Sequence, residues 1–321
     1  MSSPIAVAGA GAFGTALAIA EALAGRDVLL WGRDAGVIAE AEASRRLPRL
    51  PEAELPGNIR LTADLAELAG AEAVLLAVPA QALRGFLSGA GVLAGRPLVA
   101  CAKGIDLGTV TGPTALIEAA MPGNPAAVLT GPSFAADIAA GLPTALTLAC
   151  EDEALGESLQ HALSTPNLRL YRSTDVTGAE LGGALKNVMA IACGAAMGAR
   201  LGESARAALI SRGFAEMQRL ALALGARAET LAGLAGLGDL VLTATSEGSR
   251  NYRYGLAIGR GEDFAAGVTV EGAATADAAM ALATRIGVDL PITEAVAALV
   301  AGEAEVSDVL SGLFARPLKE E

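Results

Sequence analysis

Short apolar runs separated by stretches of helical character punctuate the first half of the chain: Ile5 to Ala8, Asp27 to Trp31, Ala73 to Val78, Pro97 to Cys101, Ala127 to Thr130, Thr144 to Ala149 and Leu168 to Tyr171. Several are continuously apolar, as strands buried on both faces of a parallel sheet must be. Their alternation with helices predicts a doubly wound α/β arrangement. From about Asp175 the pattern changes. No strand-like run of comparable quality returns, and segments such as Ala205 to Leu224 carry Leu209, Phe214, Met217, Leu220 and Leu224 at helical spacing. Ser173, Thr174 and Asp175 supply N-cap residues for the helix that opens this part, which places a boundary near residue 174.

Composition narrows the function. With 321 residues, 53% apolar and 18% charged, the chain is long enough for two domains and too apolar for disorder. A net charge of -12 repels nucleic acid and anionic membranes, so an anionic substrate needs a local cluster of positive charge. The three cysteines, Cys101, Cys150 and Cys193, are far apart and show no metal-ligand spacing, which fits a reducing cytoplasm. No basic segment precedes the first apolar run. No apolar run reaches the ~18 residues of a membrane span without a charge or proline, so secretion and membrane insertion are both disfavoured. The single histidine, His161, sits in a polar surface helix. That rules out a multi-histidine metal site and leaves a Ser-His-Asp triad or a histidine-dependent dehydrogenase resting on one solvated residue.

Gly9-Ala10-Gly11-Ala12-Phe13-Gly14 follows the first strand and opens a helical run. In such a fingerprint the first glycine permits the tight turn, the second lets backbone approach a pyrophosphate, and the third lets helix and strand pack closely. The second strand ends within the same ~30 residues, completing one βαβ unit. The expectation is therefore an α/β N-terminal Rossmann-type doubly wound sheet over 1–174, binding a dinucleotide, followed by an all-α C-terminal substrate and catalytic domain over 175–321. Trp31-Gly32-Arg33-Asp34 closes the second strand. Arg33 at that point favours a coenzyme with a 2′-phosphate, NADP over NAD, although a shift of one residue would present Asp34 to the ribose instead.

A nicotinamide enzyme reducing a carbonyl needs an acid, and with histidine missing the candidates are lysines. There are three: Lys103, Lys186 and Lys319, the last in the charged terminus. Lys103 follows an apolar strand, at the sheet edge where ligands bind in such folds. Lys186 is a lone charge in an apolar helix, where desolvation lowers an ammonium pKa. Asp239, among glycines and aliphatics, is a natural partner for it. The segment Ser246 to Arg253 offers hydroxyl, guanidinium and amide groups suited to phosphate, and Gly131-Pro132-Ser133-Phe134-Ala135 is a second anion-friendly turn.

Taken together, GAGAFGTALA at 9 to 18, WGRD at 31 to 34, VP at 78 and 79, KG at 103 and 104, GPSFA at 131 to 135, GLPTA at 141 to 145, ELGGALKNVMAIACG at 180 to 194, AGLGDLVLT at 235 to 243, SRN at 249 to 251 and VEG at 270 to 272 resemble the bacterial-type NAD(P)-dependent glycerol-3-phosphate dehydrogenases, across almost the whole chain. The resemblance implies reversible reduction of dihydroxyacetone phosphate to sn-glycerol 3-phosphate, a supply of glycerophospholipid synthesis. It implies Lys186 as acid/base and Lys103 and Asp239 at the reacting end of the substrate. Ser249, Arg250 and Asn251 fall on the phosphate side, with Gly131 and Ser133 also in the substrate site. For the coenzyme it implies Ala12, Phe13, Arg33, Lys103, Ala135, Arg250, Thr269 and Glu271 beside the fingerprint glycines, and it leaves Asn187 and Thr243 as supporting hydrogen-bonders. No metal is expected. The apolar helical half is compatible with a homodimer. Two other readings stay open: a related dehydrogenase of small hydroxy acids that uses a catalytic lysine, and a dinucleotide-sensing protein without turnover.

Overall fold

A computed structural model describes residues 3–265 and 268–309. Strands β1 (Ile5–Ala8), β2 (Val28–Trp31), β3 (Ile59–Thr62), β4 (Ala73–Leu76), β5 (Leu98–Ala100), β6 (Ala126–Thr130), β7 (Thr144–Ala149) and β8 (Leu168–Ser173) form one sheet. Their order is β3-β2-β1-β4-β5-β6-β7-β8. Helices α1 (Ala12–Leu23), α2 (Ala35–Ser44), α3 (Ala80–Ser88), α4 (Pro113–Ala120), α5 (Ala135–Ala139) and α6 (Glu153–Leu163) connect and cover it. Successive side chains of a strand point to opposite faces, so Val7 joins Leu17 and Leu30 in one buried layer while Ala6 and Ala8 join Leu76 and Leu83 in the other. This is the two-faced core of a doubly wound sheet. The chain order reverses between β1 and β4, and it is at such a switch point, outside the carboxyl ends of the strands, that open α/β sheets bind their ligands in a crevice.

The sheet departs from the sequence-based expectation at two places. β3 is an additional strand. Its four residues alternate instead of forming an apolar run, with Arg60 exposed and paired to Glu67 at 2.9 Å on the sheet edge. The sheet is also not wholly parallel: β7 pairs antiparallel with β6, and β8 follows β7. The linking α5 has only five residues, too few to carry the chain back along the sheet, so β7 returns from the end where β6 stopped.

The C-terminal domain is helical: α7 (Val176–Gly198), α8 (Glu203–Ala223), α9 (Ala228–Ala232), α10 (Asp239–Ala244), α11 (Arg250–Arg260), α12 (Glu271–Ile286) and α13 (Pro291–Ala301). Asp175 caps α7, accepting from the Gly178 amide at 2.8 Å, while its other oxygen accepts from the Arg227 amide at 2.8 Å. One turn on, Glu180 accepts from the amide and the hydroxyl of Thr114, both at 2.8 Å, and so fastens α7 to the start of α4 beside the sheet. By length and mean hydropathy (1.3) α7 would pass for a membrane span, but 89% of that stretch is buried inside the protein. It is the core helix of the domain, surrounded by Met217, Leu220, Tyr252, Leu256 and Leu282. Its closest neighbour is α11. A Cβ added at Gly194 would strike the Tyr252 carbonyl, and one added at Gly255 would strike the Ile191 carbonyl. Paired small residues four apart on both helices, Gly194 with Gly198 and Gly255 with Gly259, let the two backbones touch.

Candidate active site

The fingerprint glycines divide the work as their positions require. Gly9 has φ +127° and a Cβ there would lie 2.6 Å from the Ala77 carbonyl, while a Cβ on Gly14 would collide with the Gly9 carbonyl. Gly11 has nothing within 4 Å of its added Cβ. It is the N-cap of α1 and brings no side-chain cap, so no capping side chain takes the first-turn amides that follow, at Ala12 and Phe13. A pyrophosphate fits such a helix start, and the residues present therefore fit a dinucleotide. Gly32, ahead of Arg33, packs against Ala10 of the same loop. The Asp34 carboxylate is already engaged: it caps α2, accepting from Gly36 at 3.0 Å and Val37 at 3.1 Å. Arg33 is exposed, and among the described residues no hydrogen bond or ion pair holds it. Trp31 at the end of β2 stacks at a tilt on Phe86, with ring centroids 5.5 Å apart, and donates from Nε1 to the Ala63 carbonyl at 3.1 Å.

Across the crevice, two lysines meet over one carboxylate. Lys103, in the loop after β5, donates to Asp239 Oδ2 at 2.6 Å and to the Gly131 carbonyl at 2.7 Å, with its Nζ 5.8 Å from the Phe13 ring centre. Lys186, midway along α7, lies 3.0 Å from Asp239 Oδ1 and donates to Thr243 Oγ1 at 2.7 Å; that hydroxyl donates on to Asp239 Oδ1 at 3.1 Å. Asp239 is 1% exposed and reaches this point through a turn of π-helix, Leu234–Gly238, that ends at α10. Gly182 is what lets that turn in, because a Cβ there would sit 2.6 Å from the Ala235 carbonyl.

Electrostatics follow from this geometry. Burial pulls the Lys186 ammonium down to about 8, with Lys103 pushing the same way against the attraction of Asp239. Burial alone would raise the Asp239 carboxyl, but Lys103 and Lys186 together outweigh it and hold the group below the usual carboxylate range. Two cations share one anion, so the triad carries one net positive charge.

The remaining expected residues lie on the Gly131 turn, on α7, at the starts of α5, α11 and α12, and just ahead of α12. Gly131, at φ +134°, offers a carbonyl that also accepts from Ser133 Oγ at 3.0 Å. Phe134 touches Gly248, which brings the Gly131 turn against the turn before α11, and Ala135 opens α5. Ser249 caps α11 through the Tyr252 amide at 3.2 Å, and Arg250 is exposed on its first turn. Asn187 and Asn251 are buried and bonded to each other, Nδ2 of Asn251 to Oδ1 of Asn187 at 2.8 Å. Glu271 starts α12; burial raises its carboxyl, opposed first by Arg250 and then by Lys186, with the Ala80 amide also favouring the anion. Thr269 lies exposed just ahead of α12 and belongs to none of these contacts. Lys319 falls outside the described residues.

Two features were not anticipated from sequence. The Ala80 amide faces Glu271 from the start of α3. Thr130 Oγ1, at the end of β6, is buried without a hydrogen-bond partner, and a Cβ on Gly183 would collide with it. The pair Gly182-Gly183 inside a helix was the available signal of close approach. His161 is exposed on α6 with Nδ1 2.8 Å from the Glu157 carbonyl, far in sequence and in contacts from the triad. Among the described residues no group of three or more His, Cys, Asp or Glu side chains is placed to hold a metal ion.

Known proteins resemble this chain in sequence and in fold. Residues 4–156 match the family model for the NAD-dependent glycerol-3-phosphate dehydrogenase N-terminus and residues 175–311 the model for its C-terminus. The chain is 61% identical over 318 residues to glycerol-3-phosphate dehydrogenase [NAD(P)+] of Paracoccus denitrificans, covering 99% of both chains. It is 61% identical over 321 residues to the protein of that name from Cereibacter sphaeroides, covering 99% of this chain and 100% of the relative. The crystal structure of a glycerol-3-phosphate dehydrogenase from Coxiella burnetii superposes with a TM-score of 0.93 at 37% identity, covering 98% of this chain and 99% of the other. With both halves matched and the relatives aligned end to end, the chain belongs to the NAD-dependent glycerol-3-phosphate dehydrogenase family.

Proposed function

We propose that the protein is an NAD(P)H-dependent dehydrogenase that reversibly reduces dihydroxyacetone phosphate to sn-glycerol 3-phosphate, feeding glycerophospholipid synthesis. The observation that carries this reading is the buried Asp239 carboxylate shared by Lys103 and Lys186 at the crevice between the sheet and the helical domain. When bound, the nicotinamide supplies the hydride that reduces the ketone carbon. Lys186 gives its proton to the ketone oxygen and takes it back in the oxidative direction. Its lowered pKa suits both steps, because the ammonium and the amine are then both populated near neutrality. Asp239, through one oxygen and through Thr243, aims the Lys186 ammonium; through the other it holds Lys103 at the reacting end of the substrate. Binding energy spent on the phosphate sets the carbonyl's distance and angle. That contact falls to Arg250 and the first two amides of α11, those of Arg250 and Asn251, since the Ser249 cap takes only the Tyr252 amide. Gly131 and Ser133 line the substrate side.

On the coenzyme side, Gly9, Gly11, Ala12, Phe13 and Gly14 take the pyrophosphate, with Ala135, Thr269 and Glu271 completing the contacts. Arg33 supplies the charge for a 2′-phosphate, and the capping duty of Asp34 removes the acid that an NAD site would turn to the ribose, so NADPH is the preferred form. We divide the chain at 174/175, where Asp175 caps α7. The three cysteines are free and buried, which suits a reducing cytoplasm, and the apolar helical half suits a homodimer.

A spectrophotometric assay with dihydroxyacetone phosphate and NADPH or NADH side by side tests the reading. Steady oxidation, faster with NADPH at low coenzyme, is expected; turnover only with unphosphorylated keto acids, or none at all, would overturn it.

A further inference from the structure

The loop that carries Lys103 runs from the end of β5 to the start of α4, and helix α3 holds it from the side. Gln81, in the first turn of α3, closes both ends of its amide on this loop: Nε2 donates to the Ile105 carbonyl at 2.7 Å and Oε1 accepts from the Leu107 amide at 3.1 Å. One turn on, and so on the same face of α3, Arg84 lies against Gly108 and 3.6 Å from Asp106 Oδ1. The Asp106 carboxylate is buried, and its other oxygen accepts from the amide and the hydroxyl of Thr109, at 2.8 and 3.0 Å. Nearer the lysine, a Cβ on Gly104 would stand 2.7 Å from the Ala80 side chain and 3.6 Å from Thr275 Oγ1 of α12. The turn that follows is strained, because Val110 is β-branched and sits at φ +56°. Such a turn persists only where its surroundings hold it.

We propose that Gln81 is a positioning residue that acts through Lys103. Its amide clamps the main chain at Ile105 and Leu107, so that the Lys103 ammonium reaches Asp239 and the Gly131 carbonyl from a loop held in its strained form. This rests on the functional reading above, in which Lys103 meets the reacting end of the substrate. The clamp works in one orientation only, since flipping the amide would set its oxygen against the Ile105 carbonyl and its amide protons against that of Leu107. Helix α3 also begins at the Ala80 amide that faces Glu271, so the element carrying Gln81 touches the coenzyme side and the substrate side of the site together.

The test is a double-mutant cycle in the full chain: Gln81→Met, which keeps the length of the side chain and removes both bonds, Lys103→Ala, and the two together. Gln81 is exposed on α3, so Gln81→Met should melt within a few degrees of wild type. Alone it should lower kcat/KM for dihydroxyacetone phosphate by about fivefold or more. In the Lys103→Ala background it should cost less than about twofold, because the group it positions is gone. A second readout is the pH limit of the reductive reaction. Asp239, Lys103 and Glu271 are the charges acting on Lys186; a Lys103 that strays stops repelling the Lys186 ammonium and leaves Asp239 to it, so the limit should move above the wild-type value. An equal loss in both backgrounds overturns the proposal. So does a wild-type pH limit in Gln81→Met, which decides alone if Lys103→Ala turns over too slowly to follow. Weaker NADPH binding with kcat kept at saturating coenzyme makes Gln81 a coenzyme contact and overturns the clamp as well. A wild-type enzyme inactive on dihydroxyacetone phosphate with either coenzyme overturns the functional reading and the clamp with it, whereas a fully active Gln81→Met variant defeats the clamp and leaves that reading standing.

Discussion

At the residue scale, the chemistry concentrates on an amine whose acidity is set by burial. Reduction needs Lys186 protonated, so kcat/KM for dihydroxyacetone phosphate should be level below about pH 8 and fall above it; oxidation of glycerol 3-phosphate, which needs the free amine, should rise through the same range. Parallel pH profiles in the two directions would contradict this assignment. Lys186→Ala should cost at least 10²-fold in turnover with NADPH binding preserved. Asp239→Asn should be worse for folding than for binding. It leaves two ammonium groups without their shared anion, at about 3–5 kcal/mol in urea unfolding, and should move the reductive pH limit below that of the wild type. Arg33→Ser should raise the KM for NADPH by about tenfold, near 1.4 kcal/mol, and leave that for NADH unchanged. Much of this was legible in the sequence because the chain has so few lysines and one isolated acid among glycines. Less legible were the partners: the composition does not reveal that Asp239 serves Lys103 as directly as Lys186, or that the hydroxyl of Ser249 is occupied as a helix cap.

At the scale of elements, the close crossing of α7 and α11 sets Asn251 against Asn187, the neighbour of Lys186, and fixes where Arg250 begins α11. Gly255→Val would drive a side chain into the Ile191 carbonyl, and overpacking of this kind costs about 1–3 kcal/mol. Denaturant unfolding should register that loss, and the KM for dihydroxyacetone phosphate should rise with it, because the first turn of α11 moves as α11 is pushed away. Continuous apolar runs made most strands readable in advance, and the Asp175 cap made the start of α7 readable. β3 escaped because an edge strand needs only one buried face, and its alternating Ile59-Arg60-Leu61-Thr62 is too short to give a period. The reversal of β7 escaped because strand direction depends on connection geometry, to which hydrophobic patterning is blind.

At the scale of the whole molecule, the ion pair between Lys103 and Asp239 and the Glu180 cap on α4 join the sheet to the helical domain, so a ligand in the crevice should stabilise both together. NADPH at 100 times its dissociation constant should add about 2.7 kcal/mol and raise the melting temperature in one transition, not two. Stability should also carry a pH signature from Glu21, buried on α1 beside Arg26, whose carboxyl burial pushes up to about 7. A folded pKa above the unfolded 4.5 means that the folded state holds its proton longer. The contribution of this group is therefore greatest below pH 4.5, declines up to about 7, and is flat beyond. Glu21→Gln should remove that decline, worth up to about 3 kcal/mol, when melting is compared at pH 5 and pH 7.5. Finally, the molecule contains one tryptophan, stacked on Phe86 at the end of β2 and two residues from Arg33. Its emission therefore comes from a single address, and quenching on titration with nucleotide reports occupancy at the adenosine end of the crevice without label, mutation or turnover.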